Sequence, residues 1–206
     1  MCIRDRSSSV YGKNGKIPFA ENDVTDSPVS LYAATKKACE LMAHTYHHLY
    51  GIEMAGLRFF TVYGTYYRPD MALFRFATKI LKGEPIAIYN HGKMKRDFTF
   101  IADIVDGIKG AMQKKELGFE VYNLGGDHPV GLEEVVNILE AALGVSAKKE
   151  YLPMQPGDVV ETYADISKAR AELGFDPKVG IQQGIQIFAE WFLENKEWLL
   201  TLKEGK

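Results

Sequence analysis

Between residues 30 and 50, Leu31, Ala34, Ala38, Leu41, Met42 and Leu49 recur at intervals of three, four and seven, the spacing of one face of a helix. The stretch 13–27, with Asn14-Gly15 and Asp26 ahead of Pro28, reads as a loop ending where that helix begins. Residues 52–60 are a mostly apolar run, which predicts a buried strand, and Val62-Tyr63-Gly64 turns away at its carboxyl end. Further along, the pattern predicts a helix over 71–81, a short strand over 85–89 and a strand over 121–125. An amphipathic helix follows over 132–143, stopped by Gly144. Ala164-Asp165-Ile166 opens another helix that Leu173-Gly174-Phe175 closes, and 180–193 is a last helix with an apolar stripe. No internal repeat or low-complexity run interrupts this order. The opening hexapeptide breaks it: Arg4, Asp5 and Arg6 are charged.

Composition narrows the function classes. At 46% hydrophobic and 25% charged over 206 residues, the chain is globular and long enough for a sizeable core. A net charge of −2 argues against a nucleic-acid partner held by bulk electrostatics. No apolar run approaches the roughly 18 residues that a membrane span needs, so no membrane partner is expected, and residues 1–6 are charged and too short for a signal peptide. Cys2 and Cys39 are too few for a disulfide framework or a metal cluster. The reading is a cytoplasmic protein with free thiols.

Candidate chemistry begins with Tyr32-Ala33-Ala34-Thr35-Lys36. On a helix, residues four apart stand one turn above the other, so a phenol and an ammonium look the same way. An ammonium beside a phenol favours the phenolate, and such a pair can take a proton from a hydroxyl and return it. Alone, the same spacing suits a solvated surface pair. His44, His47 and His48 share the helix, but no cysteine or carboxylate cluster completes a metal site around them. Ser7-Ser8-Ser9 reads on composition as a serine-rich loop.

Read together, Ser7-Ser8-Ser9-Val10-Tyr11-Gly12, Tyr32-x-x-x-Lys36, Leu57-Arg58-Phe59-Phe60-Thr61-Val62-Tyr63-Gly64, Arg96-Asp97-Phe98 and Gln155-Pro156-Gly157-Asp158 resemble the extended short-chain dehydrogenase/reductase family. Those enzymes act on nucleotide sugars with a tightly held NAD. Ser30-Leu31-Tyr32-Ala33-Ala34-Thr35-Lys36-Lys37 and Arg68-Pro69-Asp70-Met71-Ala72 are most similar to its uronate branch, the UDP-glucuronate 4-epimerases. The resemblance runs from about Ser7 to Asn195. It implies an α/β fold: the C-terminal part of a Rossmann-type doubly wound parallel sheet (7–66) plus a smaller α/β sugar-nucleotide lobe (mainly 67–195, with segments returning to the sheet), and a tail at 196–206.

The same resemblance implies roles. Ser7, Tyr32 and Lys36 would be catalytic, with Tyr32, Lys36 and Phe59 against the NAD cofactor. Ser8, Thr61, Arg68, Tyr89, Arg96 and Asp158 would bind the UDP-sugar: Thr61 and Arg68 at a carboxylate, Tyr89 near the base, Arg96 at the diphosphate and Asp158 at the ribose. Gln155 would lie near the phosphates, Asp97 would fix the local turn, and Asp103 would cap the next helix. Relatives with elimination chemistry carry Asp or Glu just before Val-Tyr-Gly; here Ser8 and Ser9 stand there, which favours epimerisation. Relatives read Gly-Pro-Trp-Gly where this chain has Gly64-Thr65-Tyr66-Tyr67, so the loop before Arg68 departs from the pattern. Relatives also dimerise through the Tyr-Lys helix, which implies a homodimer.

Residues 1–6 do not match the family's strand at this point and read as foreign sequence. Nothing before Ser7 supplies the Gly-x-x-Gly-x-x-Gly turn that cradles a dinucleotide pyrophosphate, so about 100 residues, one domain's worth, are expected to be missing. The chain alone is expected to be inactive and, through an exposed sheet edge, prone to aggregate. Other readings are a UDP-galactose-type epimerase, a nucleotide-sugar dehydratase or decarboxylase, and a catalytically silent sugar-nucleotide-binding protein.

Overall fold

The computed structural model describes residues 2–155 and 158–202, with residues 2–6 described by their backbone alone. Its first half runs β1 (Cys2–Ser7), a 3₁₀ turn (Ser8–Tyr11), α1 (Leu31–Tyr50), β2 (Met54–Phe59), β3 (Thr61–Tyr63), α2 (Ala72–Lys82), β4 (Pro85–Ile88), a second 3₁₀ turn (Tyr89–Gly92) and β5 (Lys95–Phe100). The second half runs α3 (Ile101–Gln113), β6 (Phe119–Leu124), β7 (Pro129–Gly131), α4 (Leu132–Leu143), β8 (Lys148–Tyr151), α5 (Ser167–Leu173), α6 (Ile181–Glu194) and α7 (Lys196–Leu199). Two compact units share the chain: one holds Met1–Val62, Arg96–Pro129 and Glu161–Lys178, the other Tyr63–Lys95, Val130–Val160 and Val179–Lys206.

The first unit is built on a parallel sheet in the order β1–β2–β6. Ser7 is level with Phe59, and Phe59 with Leu124, so the three strands end together. Central β2 is buried over its first five residues, as an apolar run flanked by two ladders should be. The charged segment Cys2–Arg6 forms β1 with Ser7 all the same, paired with β2 from Cys2 to Ser7. Ladder bonds are made by backbone groups, which any residue but proline supplies. Val10, Phe19, Leu57, Phe60, Ile104, Leu124 and Ile166 belong to the core around the sheet. Helix α1 starts on Ser30, whose hydroxyl accepts the Ala33 N–H at 3.1 Å. It stops on Gly51 at φ 64°, a left-handed cap that glycine adopts without cost.

Two acidic residues act differently from the reading of the motif. Asp103 is not a helix cap: α3 begins at Ile101 with Phe100 in the cap position. Asp103 lies buried in the first turn, where its carboxylate accepts the Lys178 N–H at 3.1 Å. It sits inside because Phe100 and Ile104 bury the start of that helix. Asp97 does more than hold its own turn. Fully buried, it accepts the Ala164 N–H at 2.9 Å and the N–H of Gly126, joining β5 to two distant segments.

In the second unit β4 and β8 pair in parallel, and α4 packs on α6 and α2. Ile185, Phe188, Ala189 and Phe192 bury one stripe of α6. Phe74 of α2 meets Phe192 edge-on with ring centres 5.0 Å apart, a favoured aromatic arrangement. Gly144 caps α4 at φ 68°, where the sequence pattern puts its stop.

Candidate active site

Ligand sites in open α/β sheets lie beyond the carboxyl ends of the strands. In the first unit those ends carry Ser7, Phe59 and Leu124. Ser7 caps the 3₁₀ turn, its Oγ accepting the Ser9 N–H at 3.2 Å, and Ser7, Ser8, Phe59 and Thr61 are all half-buried. Helix α1 packs on that turn and on β1 and β2. Its opening turns carry Tyr32, 55% exposed, and Lys36, whose Nζ lies 5.5 Å from the Tyr32 ring centre. The helical spacing therefore does bring phenol and ammonium together. Arg96, half-buried, belongs to the same unit, next to Asp97.

Arg68, Tyr89 and Asp158 belong to the second unit. Arg68 is a surface side chain forked onto Asp70, at 3.0 Å through Nε and 2.5 Å through the guanidinium nitrogen. That fork holds the Asp70 carboxyl below its ordinary range. Just before it, the departing loop residues seat on α6: Tyr66 lies 5.3 Å from Trp191 and Tyr67 6.4 Å from Phe188, ring centre to ring centre. Tyr89 opens the second 3₁₀ turn, in which Asn90 and His91 take positive φ. Asp158 is exposed, its N–H 3.2 Å from the Gln155 carbonyl; Pro156 and Gly157 lie outside the described residues.

Two of the histidines of α1 have structural surroundings. His44 and His47 pack their rings on Phe119, at 5.1 and 6.1 Å, and His47 Nδ1 lies 2.9 Å from the Ile52 carbonyl oxygen. Among the described residues, no group of three or more His, Cys, Asp or Glu could hold a metal.

The first unit also holds a polar cluster whose members the sequence motifs left without a role. The Arg58 guanidinium, from the middle of the buried run, forks onto the Glu40 carboxylate at 2.9 and 3.0 Å. It also donates to the Tyr11 hydroxyl at 2.9 Å and the Glu21 carbonyl at 3.2 Å. Tyr11 in turn donates to Asn123 Oδ1 at 2.7 Å. Burial pushes the Tyr11 phenol up to about 12, against the pull of Arg58, so it stays protonated and keeps that bond. Burial works against the Arg58 charge, but the interactions with Glu40 and Tyr11 together outweigh it and raise the guanidinium further. The signal was present in Leu57-Arg58-Phe59: an arginine inside an apolar strand requires a buried acceptor.

Residues 6–125 match the family described as NAD dependent epimerase/dehydratase. An uncharacterised protein of Methanocaldococcus jannaschii is 59% identical over 196 residues, covering 95% of this chain and 60% of its own length. UDP-glucuronate 4-epimerase 3 of Arabidopsis thaliana is 50% identical over 203 residues, 91% of this chain and 47% of the plant protein. The UDP-glucuronic acid 4-epimerase of Bacillus cereus, crystallised with UDP-glucuronic acid and NAD, superposes with a TM-score of 0.87 at 36% identity, over 94% of this chain and 61% of that one. The chain thus spans about half to three fifths of the length of these relatives.

Proposed function

The chain belongs to the NAD dependent epimerase/dehydratase family, and on that premise we propose that it is the catalytic and sugar-nucleotide-binding part of an NAD-dependent 4-epimerase converting UDP-glucuronate to UDP-galacturonate. The observation that carries this is the pairing of Tyr32 with Lys36 at the start of a helix packed on the turn that Ser7 opens. The likeness to UDP-glucuronate 4-epimerases over most of the chain supports the substrate.

The residues present fit the nicotinamide end of NAD: a phenol, an ammonium and Phe59 near the carboxyl ends of parallel strands. Within the 206 residues there is no Gly-x-x-Gly-x-x-Gly turn to hold its pyrophosphate. Bound NAD would supply the hydride acceptor and donor for C4 of the sugar. Tyr32 takes the proton of the 4-hydroxyl as that carbon is oxidised to a ketone and gives it back as the ketone is reduced. Lys36 stands beside that phenol, and Ser7 hydrogen-bonds the reacting oxygen. Ser8 and Thr61 are the candidate sugar contacts in the first unit and Arg96 the diphosphate contact, while Arg68, Tyr89 and Asp158 are assigned to carboxylate, base and ribose. An arginine fork matches a planar carboxylate, and binding through Arg68 requires that it leave Asp70.

No helix among the described residues is long and apolar enough to cross a membrane, and we assign the reaction to the cytoplasm. A second copy of the chain is the proposed occupant of the apolar face of α1, where Leu31, Leu41, Met42 and Leu49 stand exposed.

The test is a proton NMR assay with UDP-glucuronate and NAD on the chain joined at Ser7 to the amino-terminal segment of a relative. UDP-galacturonate should accumulate, and Tyr32→Phe should slow turnover by about 10²–10⁴-fold while UDP still binds. Near-normal turnover in that variant would refute the assignment. Interconversion of UDP-glucose and UDP-galactose instead would replace the substrate. UDP binding without turnover in the unsubstituted protein would select a silent binding protein. The 206-residue chain alone should show no turnover.

A further inference from the structure

Helix α1 is attached to its unit in an unusual way. Its large apolar side chains face out, and among the described residues it buries Ala33, Glu40 and Ala43. Two alanines define a close approach but not a rotation, because a methyl group packs much the same over many degrees of roll. Glu40 does define one. It stands four residues beyond Lys36 and eight beyond Tyr32, on the same face, about 12 Å along the axis from Tyr32. Both of its oxygens are fixed by the planar fork of Arg58, a geometry with little angular freedom.

Arg58 is itself held from three sides. It lies on the central strand, its guanidinium sits 4.9 Å from the Tyr11 ring centre, and one nitrogen reaches both the Tyr11 hydroxyl and the Glu21 carbonyl. Tyr11 ends the 3₁₀ turn that Ser7 begins, and its hydroxyl donates to Asn123 on β6. Lys37 adds a weaker tie, 3.8 Å from Glu40, and donates to the Thr25 hydroxyl of the loop before the helix at 2.5 Å. A single buried guanidinium therefore touches the segment carrying Ser7 and the helix carrying Tyr32 and Lys36.

We propose that Glu40 and Arg58 are positioning residues: their buried ion pair sets the roll and axial register of α1 against the Ser7 turn, and so aims Tyr32 and Lys36. This rests on the catalytic reading only for its consequence in turnover. The alternative is an ordinary stabilising contact. Buried pairs can often be replaced by apolar residues of similar volume without loss of stability, whereas removing one partner strands a charge. Position and stability are therefore separable.

The decisive comparison uses the 206-residue chain labelled with ¹⁵N, as wild type, E40Q, R58K and the double variant E40L/R58M. In the double variant the thermal midpoint should stay within about 5 °C of wild type. Its amide signals over 31–37 should nevertheless shift, and their hydrogen exchange should quicken about tenfold or more, while α4 and α6 are unchanged. R58K, which keeps the charge but loses the fork, should move the same signals. Changes limited to the neighbours of positions 40 and 58 would overturn the proposal. So would a double variant that does not fold, since the pair would then be needed for folding as such. In the joined protein of the activity assay, kcat should fall at least tenfold in E40Q and R58K with KM for the UDP-sugar within about twofold; a rise in KM at unchanged kcat would count against it. The NMR result needs no turnover, so failure of the epimerase assay alone removes the substrate reading and leaves the positioning result standing.

Discussion

Asp97 illustrates how burial acts on a carboxylate held by backbone N–H groups. Burial pushes it up to about 6, against the bonds from Ala164, Gly126 and Asp127. A raised folded-state value means that the folded chain holds the proton more tightly than the unfolded chain does. Its contribution to stability is therefore complete below about pH 4 and declines as pH rises through 6. From 3.8 to about 6, the loss by neutral pH is on the order of 3 kcal/mol. Urea unfolding read from amides of the first unit checks this at several pH values. The stability of wild type minus that of Asp97→Asn should fall between pH 4 and 6.5 and be level above it; a level difference throughout would show that Asp97 does not titrate in that window. Glu21 is raised by burial too, so its contribution runs in the same direction and cancels in the comparison.

Helices in both units approach their neighbours through glycine. In α6, a methyl group on Gly184 would run into the Tyr63 phenol. On an open helix face Gly→Ala gains about 1 kcal/mol; here Gly184→Ala should instead destabilise the second unit by about 1–3 kcal/mol. Tyr63→Phe in the same background should recover part of that loss, and thermal unfolding followed by tryptophan fluorescence reads it through Trp191 and Trp198. Glycines in α3 serve the first unit the same way: a methyl on Gly107 would meet Phe175 and Leu124, and one on Gly110 the Leu173 carbonyl. The Gly64–Tyr67 departure has an element-scale account as well. Tyr66, at φ 56°, and Tyr67 are held by rings of α6, so aromatic packing shapes this loop.

On the scale of the whole chain, the exposed face of α1 is the feature that asks for a partner. Leu31 is 83% exposed, and Leu41, Met42, Tyr46, Leu49 and Tyr50 are each more than half exposed. A contiguous apolar face of this kind marks an interaction surface, and a second copy of the chain is its proposed occupant. Sedimentation velocity should show self-association that weakens at least tenfold in Leu41→Glu/Leu49→Glu. A wild-type chain that stays monomeric at tens of micromolar would rule the pairing out. The strand edges bear on the aggregation expectation too. On β6, Glu21 accepts the Asn123 N–H at 2.8 Å and Lys168 donates to the Val121 carbonyl at 3.0 Å, so side chains occupy ladder groups that another strand would need.

The sequence by itself determined the local structure and the family. Helix starts and stops at Ser30, Gly51, Gly144 and Gly174 follow from side-chain oxygens and left-handed glycines, interactions spanning a few residues. The apolar run of β2 and the Tyr32–Lys36 pair were legible for the same reason. Burial was not. The periodic apolar residues of α1 define a stripe but not which way it faces; it lies outside, because the sheet beneath accepts alanines and a carboxylate matched to Arg58. Asp103 read as a cap and is a buried acceptor for Lys178, 75 residues away. Strand β1 forms despite its charges because backbone pairing with β2 is indifferent to side-chain type. Arg58, Glu40, Tyr11 and Asn123 meet from four separate segments. Only the tertiary structure could bring them together, since hydrogen bonds between distant segments leave no periodic trace in the chain.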